Sequence, residues 1–213
     1  MKSSNEFIKF MEDAGVLTFG DFTTKSGRKT PYFVNTGNYK TGKHISILGD
    51  FYADLVVTSG EEFDAIYGPA YKGITLAAAT ASSLYRNYDF DVPYFFNRKE
   101  EKDHGEGGSL IGYKPKDGDR IIIIEDVVTA GTAVRESLQL LKSVARVKII
   151  ALFVSVDRME RGTGKRSTLN ELKYEHQINV YPIINARGII ESLPEGDERI
   201  AKMEEYLSQY AGI

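Results

Sequence analysis

The sequence predicts a doubly wound α/β protein, in which helices flank a mainly parallel sheet and a small N-terminal subdomain sits beside it. Three observations lead there. Residues 121–124 and 149–156 are continuous apolar runs without polar alternation, and a strand of that kind is buried on both faces. These runs alternate with stretches of helical periodicity, the pattern of a parallel sheet with crossover helices. Two earlier strand-like segments, residues 17–22 and 32–35, have only a polar turn, Lys25-Ser26-Gly27-Arg28-Lys29, between them, and so stand apart from the alternating part.

The elements follow in order. Phe7, Ile8, Phe10 and Met11 suit a short amphipathic helix, and the two early strands come next. Ile47, Leu48, Phe51, Tyr52, Leu55 and Val56 recur at helical spacing. A short apolar strand, residues 65–67, ends at Gly68-Pro69, and an alanine-rich helix covers residues 73–84. Residues 92–96 read as a strand. After the strand at 121–124, Val134, Leu138 and Leu141 mark a helix. Beyond the strand at 149–156, one more strand over 178–184 and a helix over 197–209 complete the pattern. All 213 residues are expected to form one domain, residues 1–40 contributing to the subdomain.

Composition narrows the class. Hydrophobic residues are 42% and charged residues 27% of the chain, which fits a globular protein able to bury roughly 70% of its unfolded surface. The net charge of −3 disfavours a nucleic-acid coat protein. With no cysteine, disulfides, zinc–thiolate centres and cysteine nucleophiles are excluded. The opening residues lack a signal-peptide apolar run, and no window approaches a membrane span. The expected location is the cytoplasm, without membrane or nucleic-acid partners.

In open parallel sheets the ligand lies beyond the carboxyl ends of the strands, so the loops after strands are where chemistry is expected. After residues 121–124 comes Glu125-Asp126, then Val127-Val128-Thr129-Ala130-Gly131-Thr132, then a helix. Two carboxylates at a strand end can accept hydrogen bonds from the vicinal hydroxyls of a ribose. The small turn behind them opens a helix, whose N–H groups bind phosphate. Gly131 allows close backbone approach, and Thr129 and Thr132 offer hydroxyls. A diol site beside a phosphate cradle describes a ribose 5-phosphate; the alternative is an ordinary threonine-capped helix. Gly68-Pro69-Ala70-Tyr71-Lys72-Gly73 is a second strand–turn–helix junction carrying a cation, suited to pyrophosphate or simply a βα turn. Residues 97–108, NRKEEKDHGEGG, hold three cations, a histidine and three glycines without periodicity, which fits either a solvated loop or a hinged lid. Gly164-Lys165 is followed by Arg166, so the lysine–Ser/Thr pair of a nucleotide-binding P-loop is missing.

Residues 121–132, IIIIEDVVTAGT, resemble the phosphoribosyl pyrophosphate (PRPP) signature of type I phosphoribosyltransferases, with Glu125 where relatives often have Asp. Residues 97–108 closely resemble the mobile catalytic loop of bacterial orotate phosphoribosyltransferases, and residues 22–37, FTTKSGRKTPYFVNTG, resemble that family's orotate-binding N-terminal part. The motifs run in the family's order from about residue 20 to 160. The resemblance implies the type I phosphoribosyltransferase fold and transfer of the phosphoribosyl group from PRPP to orotate. It implies PRPP contacts from Lys25, Tyr71, Lys72, the signature residues 125–132 and Ala133. It implies a lid bearing Arg98, Lys99, Lys102 and His104, which with Asp126 would serve catalysis. Phe33, Val34 and Thr129 would meet orotate, and Arg158, after the strand at 149–156, would take its carboxylate as a guanidinium fork does. Alone, Arg158 reads more readily as a surface cation paired with Asp157. Mg²⁺ would accompany PRPP without a direct protein ligand. The lid would reach across a homodimer interface into the neighbouring site. The rivals are a purine phosphoribosyltransferase and a PRPP-sensing regulator; about 16 residues precede the first strand, too few for a DNA-binding domain.

Overall fold

A computed structural model describes residues 3–24, 27–99, 109–162 and 164–212. The chain runs α1 (Ser4–Asp13), β1 (Leu17–Thr23), β2 (Lys29–Val34), a 3-10 turn (Thr36–Asn38), α2 (Gly42–Ser59), β3 (Ala65–Gly68), α3 (Lys72–Tyr88), β4 (Tyr94–Asn97), β5 (Leu110–Gly112), β6 (Arg120–Val127), α4 (Thr132–Val144), β7 (Lys148–Asp157), α5 (Thr168–His176), β8 (Asn179–Asn185), α6 (Ala186–Glu191) and α7 (Glu198–Tyr210). Six strands form one sheet in the order β5-β4-β3-β6-β7-β8, and β1 and β2 form a separate two-stranded sheet. All neighbours in the larger sheet are parallel except β4 and β5.

Burial on both faces explains the apolar runs. Along β6, Ile121, Ile122, Ile123 and Ile124 are all fully buried. Because side chains alternate across a strand, Ile122 and Ile124 join a core with residues of α1, α2 and α3, while Ile121 and Ile123 join a second core with Val134, Leu138 and Leu141 of α4. Each such isoleucine contributes roughly 1.5–3 kcal/mol by leaving water. The two sheets are joined through the C-terminal helix: Tyr32 of β2 is fully buried and meets Tyr206 of α7 edge to face, centroids 6.2 Å apart.

Strand order reverses between β3 and β6. From β3 the chain builds outward to β4 and β5; from β6 it builds the opposite way to β7 and β8. The carboxyl ends of these two adjacent strands therefore face one crevice. Glycine lets the β3–α3 junction close tightly: a Cβ on Gly73 would come within 2.7 Å of Pro69 Cδ.

The structure adds to the sequence expectations. The 3-10 turn, β5, α5 and α6 had no counterpart there, and β6 runs on through Val127, placing Glu125 and Asp126 inside the strand's last turns of pleat.

Candidate active site

A cleft of about 360 Å³ opens at the strand-order reversal, between Ala70, Tyr71 and Lys72 on one side and residues 125–134 on the other. It brings together Tyr71, Lys72, Glu125, Asp126, Val127, Val128, Thr129, Ala130, Gly131, Thr132 and Ala133, the predicted PRPP residues of both junctions.

The helices that begin here differ from the rest. Side chains of Ser3, Thr41, Ser167, Asn185 and Asp197 cap α1, α2, α5, α6 and α7, but α3 and α4 start without a side-chain cap. The threonine-capped alternative for α4 is therefore set aside: its N-cap is Gly131, left-handed at φ +76°, a conformation that glycine adopts without strain. The first N–H groups of both helices are unclaimed by caps, the arrangement an anion needs. Behind the loop, the carbonyls are held from outside. Thr168 Oγ1 donates to the Thr129 carbonyl at 2.7 Å, and Arg135 Nη1 donates to the Ala130 carbonyl at 2.9 Å.

The two carboxylates behave differently. Burial, with the neighbouring Asp126 charge, pushes Glu125 up to about 8 despite a hydrogen bond from the Asp126 backbone N–H at 2.9 Å. The shift favours the protonated form of this carboxyl. Burial also acts to raise Asp126, but hydrogen bonds from Lys72 and Thr36 outweigh it and hold the carboxyl below its ordinary value. Lys72 Nζ lies 2.7 Å and Thr36 Oγ1 2.6 Å from Asp126 Oδ2. The backbone is fixed too: Tyr52 donates to the Glu125 carbonyl at 2.6 Å and Ser155 to the Asp126 carbonyl at 2.7 Å.

The remaining predicted residues lie around this centre. Arg98 and Lys99 follow β4, and Lys99 Nζ sits 5.1 Å over the Tyr71 ring. The Arg98 backbone N–H donates to the Ser109 carbonyl at 2.8 Å. Lys25, Lys102 and His104 lie outside the described residues. Arg158 has only 11% of its side chain exposed, and its guanidinium stands 4.4 Å over Tyr32. Its carboxylate partner is Glu160, at 2.7 Å, rather than Asp157. Arg158 shares a small pocket with Thr129, which also lines the main cleft. Phe33 is exposed and packs on Phe22, and Val34 is half-buried; neither lines the main cleft.

Four contributors escaped the sequence reading. Thr36 reaches the Asp126 carboxylate, and Tyr52 and Ser155 the backbone carbonyls of Glu125 and Asp126, from distant segments, and nothing local in the sequence marks these contacts. Asn97 had one, a polar residue closing an apolar strand. Its Oδ1 accepts from the Ala70 N–H at 2.8 Å and from the Tyr67 hydroxyl at 2.9 Å, tying the Ala70–Lys72 turn to the foot of the predicted lid.

No group of three or more metal-ligating His, Cys, Asp or Glu side chains occurs among the described residues, and no helix there is long and apolar enough to cross a membrane. The cleft's donors are N–H, hydroxyl and ammonium groups, and of its two carboxyls one is shifted toward its protonated form and the other already paired with Lys72. Such a donor set fits a metal ion arriving on a diphosphate.

Known proteins resemble this chain in sequence and fold. The Phosphoribosyl transferase domain model matches residues 35–182. Orotate phosphoribosyltransferase of Clostridium beijerinckii is 47% identical over 215 residues, covering 96% of each chain. The protein of that name from Lachnoclostridium phytofermentans is 51% identical over 189 residues, covering 88% of this chain and 84% of its own. The crystal structure of Orotate Phosphoribosyltransferase from Francisella tularensis superposes with a TM-score of 0.89 at 36% identity, covering 97% of this chain and all of that one. On fold, cleft and relatives together, the chain belongs to the orotate phosphoribosyltransferases, within the phosphoribosyltransferase domain family.

Proposed function

We propose that this enzyme transfers the phosphoribosyl group of PRPP to orotate, giving orotidine 5′-monophosphate and pyrophosphate in pyrimidine biosynthesis. The observation that carries the reading is the convergence of two uncapped helix N-termini, those of α3 and α4, on one cleft that also holds Glu125 and Asp126.

The bond from ribose C1 to the pyrophosphate oxygen breaks, a bond from C1 to a ring nitrogen of orotate forms through a ribosyl cation, and the proton of that nitrogen is released to the departing pyrophosphate or to solvent. No protein nucleophile is needed. The 5-phosphate would lie on residues 129–132 at the start of α4, and the pyrophosphate at the start of α3 with Tyr71 and Lys72. Asp126 would accept from one ribose hydroxyl while protonated Glu125 engages the other. Holding the two substrates in register can supply roughly 7–11 kcal/mol. Cations of the lid, Arg98, Lys99, Lys102 and His104, would meet the charge growing on the leaving group; one well-placed donor is worth on the order of 3 kcal/mol. Mg²⁺ bound to PRPP would neutralise part of that charge. Arg158, with Thr129, Phe33 and Val34, would receive orotate, its guanidinium matching the carboxylate, and Lys25 would reach PRPP. The reading extends to a cytoplasmic homodimer whose lid completes the partner's site.

The test is conversion of orotate, PRPP and Mg²⁺, followed by loss of orotate absorbance, with adenine and hypoxanthine in parallel. Orotate alone should be consumed. Turnover of a purine with no loss of orotate would overturn the substrate assignment.

A further inference from the structure

We infer that Thr36 is a positioning residue for the ribose-binding carboxylate, acting through Asp126 from the base-binding side of the molecule. The inference rests on the proposed role of Asp126.

Thr36 is mounted firmly. It opens the 3-10 turn directly after β2. The Asn35 backbone N–H donates to the Val16 carbonyl at 2.8 Å, Asn35 Oδ1 accepts from the Gly37 N–H at 3.2 Å, and Asn38 Nδ2 donates to the Gly15 carbonyl at 2.6 Å. The turn is thus pinned to the segment that leads into β1. From it, the Thr36 hydroxyl donates to Asp126 Oδ2 at 2.6 Å and accepts from Lys72 Nζ at 2.8 Å. One hydroxyl therefore joins three segments: the end of the hairpin, the start of α3 and the end of β6.

Lys72 and Thr36 hold the same carboxylate oxygen, but they differ once substrate arrives. An ammonium beside a diphosphate is drawn to the new anion, which competes with Asp126 for it. A threonine hydroxyl carries no charge and has no such competitor. Thr36 then remains the contact that keeps Asp126 oriented.

The test uses Thr36→Val, Thr36→Ala and Thr36→Ser in the full-length enzyme, alone and combined with Asp126→Asn. The readouts are kcat and KM for each substrate, and calorimetric titration with PRPP·Mg²⁺. A hydrogen bond to a charged acceptor corresponds to about tenfold or somewhat more in affinity. The valine and alanine variants should bind PRPP·Mg²⁺ about tenfold more weakly, with KM for orotate changed less than about twofold. Serine should restore binding to within about twofold. In the Asp126→Asn background, removing the hydroxyl should add little. Wild-type PRPP binding by both Thr36→Val and Thr36→Ala would overturn the inference, as would failure of serine to restore it, or a full additional loss on top of Asp126→Asn. If Asp126→Asn itself binds PRPP normally, it is the ribose assignment that fails. Thermal unfolding of each variant separates loss of binding from loss of fold.

Discussion

Glu160 takes the guanidinium of Arg158 on its Oε1, 2.7 Å from both Nε and Nη2, and the same oxygen accepts the Tyr206 hydroxyl at 2.7 Å. The arginine proposed to read the substrate's carboxylate is therefore held from behind by a carboxylate two residues along and by a tyrosine of α7. With Tyr32 beneath it, its plane is set before any ligand arrives.

Replacing Arg158 by leucine should raise KM for orotate at least tenfold while KM for PRPP stays within about twofold, because only orotate offers a carboxylate there. Glu160 would lose the nearer of its two cations and keep only Arg28, 3.6 Å away; breaking a part-buried pair is destabilising, so the variant should also unfold at lower temperature. Steady-state kinetics with each substrate varied in turn decide the matter; equal changes in both KM values would remove Arg158 from the base site.

Glu125 and Asp126 should respond oppositely to amide substitution. Burial shifts Glu125 toward its protonated form, and glutamine keeps a donor there, so Glu125→Gln should keep kcat/KM within a few-fold. Asp126→Asn loses a charged acceptor, worth about 1.5–3 kcal/mol, and should fall at least tenfold. The pair also predicts a pH effect on stability. Between its ordinary value of 4.5 and about 8, Glu125 keeps in the folded chain a proton that the unfolded chain has released. Its contribution to stability therefore falls as pH rises through that window. The melting temperature of Glu125→Gln relative to wild type should climb from about pH 5 to about pH 8; a constant difference would mean Glu125 titrates normally.

Asn97→Ala should strip the Ala70 N–H and the Tyr67 hydroxyl of their shared acceptor, and each orphaned group costs about 1–3 kcal/mol. Melting temperature should drop and KM for PRPP rise several-fold, since Ala70 and Tyr71 frame the proposed pyrophosphate site. Asn97→Asp keeps the acceptor and should recover most of both. If alanine and aspartate behave alike, the acceptor is not what matters.

The shared-site proposal predicts rescue between inactive variants. Lys102→Ala and Asp126→Asn homodimers should each be nearly inactive. After co-refolding, roughly half the dimers are mixed, each with one intact site, so roughly a quarter of wild-type activity should return. Mixed dimers verified by mass spectrometry yet without activity would place Lys102 in its own subunit's site.

What could be read from sequence, and what could not, follows the reach of the contacts. The apolar cores of β6 and β7, residues 121–124 and 149–154, were legible because burial on both faces leaves no polar residue within them. The turn at 129–132 was legible because its chemistry is contiguous. β5 escaped because three residues at a sheet edge are too few for periodicity, and α5 because Leu169 and Leu172 are the only leucines on a polar helix. Thr36, Tyr52 and Ser155 escaped for a different reason: they meet the β6 carboxylate pair across 90, 73 and 29 residues, and such separations leave no local pattern.

The antiparallel pair β4–β5 has a consequence for how this enzyme can vary. The chain leaves the sheet after Asn97 and returns at Leu110, which pair with one another at the sheet edge, and the Arg98–Ser109 hydrogen bond ties the excursion at its foot. Closing such a loop costs entropy only as the logarithm of its length. Because its two ends are fixed by their own pairing, a change of length between them asks little of the strands that flank it. The catalytic chemistry it is proposed to carry can drift or be redesigned at a pace of its own, while the cradle at the sheet centre stays bound by the demands of close packing.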